Sequence, residues 1–268
     1  MIKVILFSPN GYAGGFIKEK LQNDKSIDLY LMERGNDWRQ YCGNYDVMIY
    51  SASITSARHE TARKYIQDNI VTAVSIVDFC KERHIRRIIY LSSDEIYGNL
   101  NMESVTEQAI MVDPGLYGTT KYIAEKIIME CGIPYYILRL PGIVGRVWGS
   151  SFIYHLMDKI KKNEPIELYN INKMFNNIVD IDDLTKFIHI LCMEKFERPN
   201  EIFLLGNTEK VELREVVCYI KYLYHSKTKI KSVDMENRRY FTLDVTKAVK
   251  YGYSSKKINT ILDELYLL

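Results

Sequence analysis

Short apolar runs alternate with longer amphipathic stretches through the first half of the chain. Apolar runs rich in β-branched and aromatic residues occur at 3–7, 27–32, 46–53, 88–91 and 134–139, and each has the length of a buried strand. The stretches between them have the spacing of helices, at 16–21, before Lys81 and from Tyr117 onward. Strands that alternate with helices predict an α/β fold with a doubly wound parallel sheet.

The pattern is less regular beyond Gly145. It predicts helices at 152–162 and 213–224, strands at 165–169 and 202–205, and a last helix near Ile258. A further helix follows the acidic segment 179–183, and Asp182 or Asp183 is expected to cap it. These shorter elements indicate a smaller lobe in the C-terminal part of the chain.

A glycine-containing loop joins the first strand to the first helix. It reads Ser8-Pro-Asn-Gly11-Tyr12-Ala13-Gly14. Glycines at positions 11 and 14 permit a tight turn and close approach to a pyrophosphate, with the N-terminus of the helix directed at its charge. The loop therefore predicts a dinucleotide site that includes residues 11–14.

Two charged residues follow the second strand, where dinucleotide-binding folds read the adenosine ribose. An acid such as Glu33 bonds the 2′-hydroxyl of NAD, whereas Arg34 would accept the 2′-phosphate of NADP. Glu33 comes first after the strand, so NAD is the expected cofactor and NADP is not excluded. Ser51 and Ala52, small residues at the end of the third strand, would let the cofactor lie close to the backbone.

These features divide the chain into two parts. A Rossmann-type dinucleotide-binding domain is expected over 1–147, rejoined by about 176–206. Residues 148–175 and 207–268 would form the smaller C-terminal substrate-binding lobe. A cleft between two such parts is a usual location for a ligand.

Acid–base chemistry is indicated between Tyr90 and Lys121. Ser93 is expected just beyond a buried strand, where open α/β sheets place their ligands. Tyr117 and Lys121 are four apart and share one face of the next helix. A phenol has a pKa near about 10, and a nearby ammonium favours the phenolate, so the pair can act as an acid–base unit. The Ser93 hydroxyl would hold a substrate oxygen against that phenol.

The same Tyr-x-x-x-Lys spacing also occurs at Tyr122 and at Tyr253. Tyr122 lies about 140° around the helix from Tyr117, so both cannot face one site. Tyr117 alone follows a strand that ends in Ser-Ser, with Pro114-Gly115 just before the helix. We therefore expect Tyr117 to be the functional tyrosine, and Tyr122 and Tyr253 to be surface tyrosines on solvated helices.

Taken in order, several segments resemble the extended short-chain dehydrogenase/reductases, the NAD-dependent epimerase/dehydratase family of nucleotide-sugar enzymes. The resemblance covers nearly the whole chain. Its motifs are Gly11 with Gly14, Asp46-Val-Met-Ile, Asn69, Ser92-Ser-Asp-Glu-Ile-Tyr-Gly98, Tyr117-Gly-Thr-Thr-Lys121, Arg139 with Gly145, Val179-Asp-Ile-Asp-Asp183 and Phe241-Thr-Leu-Asp244.

The resemblance implies a sugar-nucleotide epimerase or dehydratase, an isomerase or lyase that uses NAD, with a catalytic triad of Ser93, Tyr117 and Lys121. Lys121 would also bind the nicotinamide ribose, and Asn69 would join the cofactor site. Asp94 and Glu95 resemble the acid and base of the 4,6-dehydratases, which divide these roles when their environments push their pKa values apart. An NADPH-dependent reductase of a keto-sugar nucleotide and a non-catalytic NAD(P)-binding regulatory protein are the alternatives.

Departures from the family pattern affect the substrate half most. Ser8 stands where the first loop glycine is usual, so the turn must adapt. Asn176 stands where many members carry an arginine for the substrate diphosphate, and Gly142 replaces a usual asparagine after Arg139. Arg139, Gly142 and Asn176 are the substrate-binding candidates beside Ser93. Helices corresponding to 68–81 and 117–130 form dimers in many relatives, so the resemblance allows a homodimer.

Composition excludes several other classes of function. The chain has 268 residues, a net charge of +2 with interspersed signs, and 47% hydrophobic residues, enough for a substantial core. The even charge argues against nucleic-acid binding, and no apolar run has the length of a membrane span. Five scattered cysteines form no metal-spaced pair, which predicts a cytoplasmic protein without a metal site.

Overall fold

The computed structural model describes residues 1–35, 37–52, 59–195, 200–235 and 239–268. Its strands are β1 (Ile2–Phe7), β2 (Ile27–Met32), β3 (Val47–Tyr50), β4 (Arg87–Ser93), β5 (Asn101–Val105), β6 (Tyr135–Leu140), β7 (Gly142–Val144), β8 (Ile166–Tyr169), β9 (Met174–Phe175), β10 (Ile178–Asp180), β11 (Glu201–Leu204), β12 (Val211–Glu212), β13 (Ile230–Val233) and β14 (Tyr240–Leu243). Ser53, expected at the end of the third strand, lies outside the described residues.

The α-helices are α1 (Tyr12–Gln22), α2 (Ala62–Tyr65), α3 (Thr72–Glu82), α4 (Leu116–Met129), α5 (Phe152–Lys161), α6 (Ile181–Met193), α7 (Leu213–Leu223), α8 (Thr246–Lys250) and α9 (Ile258–Tyr266). The segment Ile66–Val71 is π-helical and connects α2 to α3. Short 3-10 helices cover Trp38–Gln40 and Asp94–Tyr97. Within the described residues, no helix combines the length and the apolar character that a membrane crossing requires.

Six strands form one sheet in the order β2–β1–β3–β4–β6–β11. Strand β1 pairs in parallel with both β2 and β3, and β3 pairs in parallel with β4. The chain runs from β1 to β2 on one side and then to β3 on the other, so the strand order reverses beside β1. The predicted α/β fold with a doubly wound sheet is confirmed, and ligands of such sheets bind outside the carboxyl ends of the strands at this reversal.

Alternate residues of the central strands build one face of the core. Ile5 and Phe7 of β1, Met48 and Tyr50 of β3, and Ile88 and Tyr90 of β4 lie in one buried cluster with residues of α3 and α4. All residues of β3 and β4 are buried, which explains why their sequences are continuous apolar runs instead of alternating ones. Burying each large apolar side chain contributes about 1.5–3 kcal/mol, so this cluster fixes α3 and α4 on the sheet.

The described chain divides into two compact units. Unit 1 comprises Met1–Gly98, Asp113–Arg139 and Leu184–Phe203, and it contains nearly all of the six-stranded sheet. Unit 2 comprises Asn99–Val112, Leu140–Asp183 and Leu204–Leu268. Its core lies among α5, α7 and α9, beside two-stranded ladders such as β8–β13 and β7–β10. The domain boundaries expected from the sequence stay a prediction.

Two local predictions from the sequence are wrong. Strand β4 continues through Ser92 and Ser93, which were expected beyond its end, because a buried hydroxyl can remain in a strand when it has a partner. Helix α6 is capped by Asp180 instead of Asp182 or Asp183: the Asp180 carboxylate accepts the backbone N–H groups of both residues, at 3.0 and 3.4 Å. Asp182 and Asp183 lie in the first turn, where negative charge is also favourable.

Candidate functional site

The first loop turns at Ser8, whose φ of 66° is in the left-handed region that favours glycine. The Ser8 carbonyl accepts the backbone N–H of Gly11 at 3.2 Å. A Cβ atom on Gly14 would collide with that same carbonyl oxygen and lie 3.1 Å from Ser51 Oγ. The turn thus adapts to the missing glycine by straining Ser8, and Gly14 is required by the loop itself.

Helix α1 begins directly after this turn, with Gly11 as its N-cap. Tyr12 and Ala13 form its first turn, and no side chain caps it. The backbone N–H groups of a first turn lack carbonyl partners within the helix, and the helix dipole adds positive potential there. A Cβ atom on Gly11 would make only ordinary contacts at 3.5 Å with Ser8. The start of α1 is therefore suited to an anion such as a pyrophosphate.

Ser51 joins the carboxyl ends of β1 and β3 at the reversal of strand order. Its hydroxyl donates to the Phe7 carbonyl at 2.7 Å. Ala52, the next residue, is buried. Of the two cofactor candidates after the third strand, Ser51 thus lies beside the glycine loop.

Glu33 and Arg34 follow β2, and each has a polar partner. The Glu33 carboxylate accepts from Asn10 Nδ2 at 2.9 Å, which places it beside the glycine loop. Arg34 Nη1 lies 3.3 Å from the Asp68 carboxylate, and Lys64 Nζ lies 2.9 Å from the same oxygen. The cation that would attract a 2′-phosphate is therefore paired with an acid.

Asn69 lies in the π-helical segment and is almost completely buried. Its Nδ2 donates to Thr120 Oγ1 at 3.0 Å, and that hydroxyl donates to the Tyr117 carbonyl at 2.9 Å. The π-helical turn thus connects to the start of α4. Single π-helical turns inside α-helices frequently occur at functional sites.

Helix α4 lies against the end of β4 through a backbone contact. A Cβ atom on Gly118 would collide with the Glu95 carbonyl, so only glycine permits this approach. On the same helix, Lys121 Nζ donates to the Leu91 carbonyl at 2.6 Å. Ser93 Oγ accepts the Glu95 N–H at 3.2 Å, which fixes the turn after the strand. These contacts bring the elements that carry Ser93, Tyr117 and Lys121 together.

The Lys121 side chain has no exposure to solvent. Its ammonium lies 4.1 Å from the centre of the Tyr90 ring, on which it stacks. Burial lowers the pKa of Lys121 to about 7, the negative charge of Glu125 opposes this shift, and the positive charge of Arg34 adds to it. The amine therefore changes charge near neutral pH.

The tyrosines with the repeated spacing have different surroundings. Tyr117 is 8% exposed, and its ring centre lies 6.2 Å from that of Tyr65. Tyr122 is half-buried on α4. Tyr253 is buried in unit 2 and donates to the Gly206 carbonyl at 2.9 Å, so its prediction as a surface tyrosine is wrong. Its hydroxyl satisfies a buried backbone group, which the Tyr-x-x-x-Lys spacing does not reveal.

Asp94 and Glu95 form the start of the 3-10 helix that follows β4. Asp94 is buried, whereas Glu95 is half-buried. Both therefore sit in the turn that packs on Gly118, but in different degrees of contact with water.

Arg139 forms a buried ion pair with Glu125, a residue that the sequence analysis did not select. Arg139 Nη2 lies 2.8 Å from Glu125 Oε2, and its Nη1 donates to the Tyr97 hydroxyl at 2.7 Å. The hydroxyl of Ser92 donates to Glu125 Oε1 at 2.5 Å. The expected contact of Arg139 with the substrate stays a prediction. The structure shows in addition that Arg139 binds Glu125 and Tyr97 within the protein. Residues 117, 121 and 125 recur every fourth position, a signal that would have found Glu125.

The two other substrate candidates lie in unit 2. The fully buried Asn176 amide donates to the carbonyls of Asn207 and Leu243, and its oxygen accepts the Leu243 N–H. This set of bonds joins three backbone segments. Gly142 begins β7 and is exposed. Among the described side chains, no group of three or more His, Cys, Asp or Glu residues is arranged to hold a metal ion.

Comparison with known proteins finds a matching family and similar relatives. A model of the NAD-dependent epimerase/dehydratase family matches residues 5–206. An uncharacterised protein of Methanocaldococcus jannaschii is 25% identical over 269 residues, which cover 92% of this chain and 81% of that protein. A protein of Bacillus subtilis described as an uncharacterised UDP-glucose epimerase is 24% identical over 214 residues, 77% of this chain and 63% of that protein.

A solved structure shows the same fold at low sequence identity. The crystal structure of UDP-glucuronic acid 4-epimerase from Bacillus cereus in complex with NAD superposes with a TM-score of 0.84. It is 15% identical, and the match covers 99% of this chain and 96% of that chain. The resemblance read from the motifs is thereby confirmed, and this chain belongs to the NAD-dependent epimerase/dehydratase family.

Proposed function

We propose that this protein is an NAD-dependent sugar-nucleotide epimerase or dehydratase in which Tyr117 is the acid–base group. The proposal rests on the burial of the Lys121 amine one helical turn from Tyr117, with Nζ held against the Leu91 carbonyl. A cation at this place favours the ionised form of the phenol. The pair can therefore remove a proton from an alcohol near neutral pH.

The surroundings of the glycine loop support NAD as the cofactor. The first turn of α1 would hold the pyrophosphate, and Glu33 would accept a hydrogen bond from the adenosine ribose. Arg34, the cation that would favour NADP, is paired with Asp68. When bound, NAD supplies the acceptor for a hydride.

Each member of the triad then has a role in the oxidation of a sugar alcohol. The Tyr117 phenolate takes the hydroxyl proton as the hydride leaves the same carbon, which becomes a carbonyl. Ser93 donates a hydrogen bond to the reacting oxygen and orients it toward Tyr117. Lys121 favours the phenolate and holds the nicotinamide ribose. In the reverse direction Tyr117 returns the proton to the oxygen.

The names of similar proteins support a sugar nucleotide as the substrate. The Bacillus subtilis relative is described as a UDP-glucose epimerase, and the Bacillus cereus structure is a UDP-glucuronic acid 4-epimerase. Since the arginine expected for the diphosphate is replaced by the buried Asn176, we propose that this chain binds the diphosphate through other groups.

The decisive experiment is to incubate the purified protein with UDP-sugars and to monitor their conversion by NMR. Mass spectrometry of the small molecules that co-purify identifies the bound cofactor. We expect bound NAD and a change at a ring carbon of the sugar. Tyr117→Phe keeps the ring but removes the proton, so turnover should fall by about 10²–10⁴-fold. Tyr122→Phe is the matched control on the same helix. An active Tyr117 variant beside an inactive Tyr122 variant, or a protein that binds no dinucleotide, would contradict the proposal.

Asp94 and Glu95 favour dehydration as the second candidate reaction, since both follow Ser93 in the turn that packs on α4. An epimerase needs only Tyr117 to move protons, whereas a dehydratase also needs an acid and a base. Asp94→Asn and Glu95→Gln should each abolish turnover in a dehydratase. If both variants keep wild-type turnover while Tyr117→Phe is inactive, dehydration is ruled out, and epimerisation or reduction remains.

A further inference from the structure

The ion pair of Glu125 and Arg139 is unusually enclosed for two charged side chains. The Glu125 side chain is fully buried and that of Arg139 is 6% exposed. Three hydrogen bonds join them, from Nε to both carboxylate oxygens at 3.1 and 3.3 Å and from Nη2 to Oε2 at 2.8 Å. Burial alone would lower the pKa of Arg139, but the hydrogen bonds and charge of Glu125 more than offset it. The Arg139 guanidinium therefore stays charged despite its burial.

A contribution to folding stability does not by itself explain why two charged side chains are buried here. Desolvation of two ions costs several kcal/mol, and apolar residues of similar volume often fold equally well or better. The location of Glu125 suggests another reason. It lies one helical turn after Lys121 on α4, and two turns after Tyr117.

The pair also acts on the end of β4. Ser92 Oγ donates to Glu125 Oε1 at 2.5 Å, while Lys121 Nζ holds the carbonyl of Leu91, the residue before it. Successive residues of β4 are thus fixed by two charged groups of one helix. Ser93 is the next residue of β4.

We infer that Glu125 is a positioning residue of the candidate site: anchored by Arg139, its carboxylate holds Ser92 next to Ser93 and balances the buried ammonium of Lys121. This inference deepens the proposed function and rests on it only where cofactor binding is concerned.

Other charged or titratable groups also face Lys121, and the sign of each charge decides whether it raises or lowers the pKa of the amine. Tyr90 of β4 lies under the ammonium, and Tyr117 precedes it on α4. Arg34 after β2 repels it, while Asp68 of the π-helical segment pairs with Arg34. Glu125 is the group whose negative charge raises the pKa of Lys121. Its loss should favour the neutral amine.

The test is direct titration of Lys121 in the full-length protein, by NMR of ¹³C-labelled lysine side chains, with Lys121→Met to assign the signal. Glu125→Gln removes the charge at nearly constant shape, so the midpoint should fall by roughly one pH unit, a tenfold change in protonation. Glu125→Asp keeps the charge and should restore most of the shift. Glu130→Gln removes an exposed carboxylate from the residue that caps the C-terminus of α4 and should leave the midpoint unchanged.

Two outcomes overturn the inference: an unchanged Lys121 midpoint in Glu125→Gln, or an equal shift in Glu125→Asp and Glu125→Gln. Should Glu125→Gln alone fail to fold because Arg139 loses its partner, the double variant Glu125→Gln/Arg139→Met removes both charges and should show a smaller fall of the midpoint in the same direction. NAD affinity, measured from pH 6 to 9, should weaken as the pH rises and Lys121 loses its charge. The pH at which this weakening begins should be lower in Glu125→Gln than in the wild type. A protein that binds no NAD at any pH refutes the proposed function, while the titration still decides the inference.

Discussion

Asn69 and Thr120 join the π-helical segment to helix α4 by a buried hydrogen bond of 3.0 Å. The Thr120 hydroxyl accepts this bond and donates its own hydrogen to the Tyr117 carbonyl. One hydroxyl therefore links the buried amide of Asn69 to the backbone of the proposed acid–base residue. The bond requires a donor on one helix and an acceptor on the other.

Thr120→Val should destabilise the protein by about 1–3 kcal/mol, because the isosteric valine leaves the buried Asn69 amide without its acceptor. Thr119→Val is the control on the same helix, since the carbonyl it would release is half-exposed and can bond water. Chemical denaturation of both variants measures the difference. Equal losses would contradict the assigned role of Thr120.

Lys121→Met should stabilise the protein at pH 6 by roughly 1–3 kcal/mol, because it removes a buried ammonium, while NAD binding is lost. The folded protein holds the Lys121 proton less tightly than the unfolded chain, with a pKa of about 7 against 10.5. The contribution of Lys121 to the free energy of unfolding of the wild type therefore rises with pH between these two values. The advantage of the variant should be largest below pH 7 and disappear near pH 10.5.

Thermal unfolding of the wild type and Lys121→Met across that pH range measures this difference. Lys126→Met, which removes an exposed lysine of the same helix, should show no such dependence on pH. A constant difference between the wild type and Lys121→Met at every pH would refute the expectation.

Ser8→Gly should raise the free energy of unfolding by about 0.5–1 kcal/mol. Glycine adopts the left-handed φ of position 8 without strain, and its greater freedom in the unfolded chain cancels part of the gain. Ser75→Gly, in the middle of α3, should instead lose stability by about 0.5–1 kcal/mol. Urea denaturation distinguishes the two, and a loss in Ser8→Gly would show that its side chain matters more than its backbone.

Asp68→Asn should shift the cofactor preference toward NADP by about tenfold, or 1.4 kcal/mol, because it releases Arg34 and Lys64 to attract a 2′-phosphate. Calorimetric titration with NAD and NADP measures the ratio of affinities. Asp78→Asn removes an exposed carboxylate from α3 and should leave the ratio unchanged. A wild-type protein that prefers NADP would contradict this assignment of Arg34.

The helices and strands that are marked by a pattern of apolar residues were predictable from the sequence. Strand β2 has the expected bounds of Ile27–Met32, and α4 begins one residue before Tyr117. The apolar residues of β2 are mostly contiguous and those of α4 are periodic, and residues typical of loops lie at the ends of both elements. The family and the fold followed because the motifs occur at the edge of the sheet in a fixed order.

Backbone conformation and long-range pairing were not predictable in this way. The π-helical turn at 66–71 has the apolar spacing of an ordinary helix, since one inserted residue changes the hydrogen bonds but not the composition. The expectation that the turn at Ser8 must adapt did not specify a left-handed residue. The pairing of Glu125 with Arg139 becomes apparent only once helix α4 is placed on the sheet, because the two residues belong to different elements, α4 and β6.

The contact of Gly118 with the Glu95 carbonyl has a consequence for protein engineering. The spacing between helix and turn is set there by backbone atoms on both sides, so it is independent of the side chains that surround a substrate. Libraries that vary those side chains can change substrate selectivity while the proposed reacting groups keep their spacing. A library that varies position 118 destroys the scaffold that all other variants share.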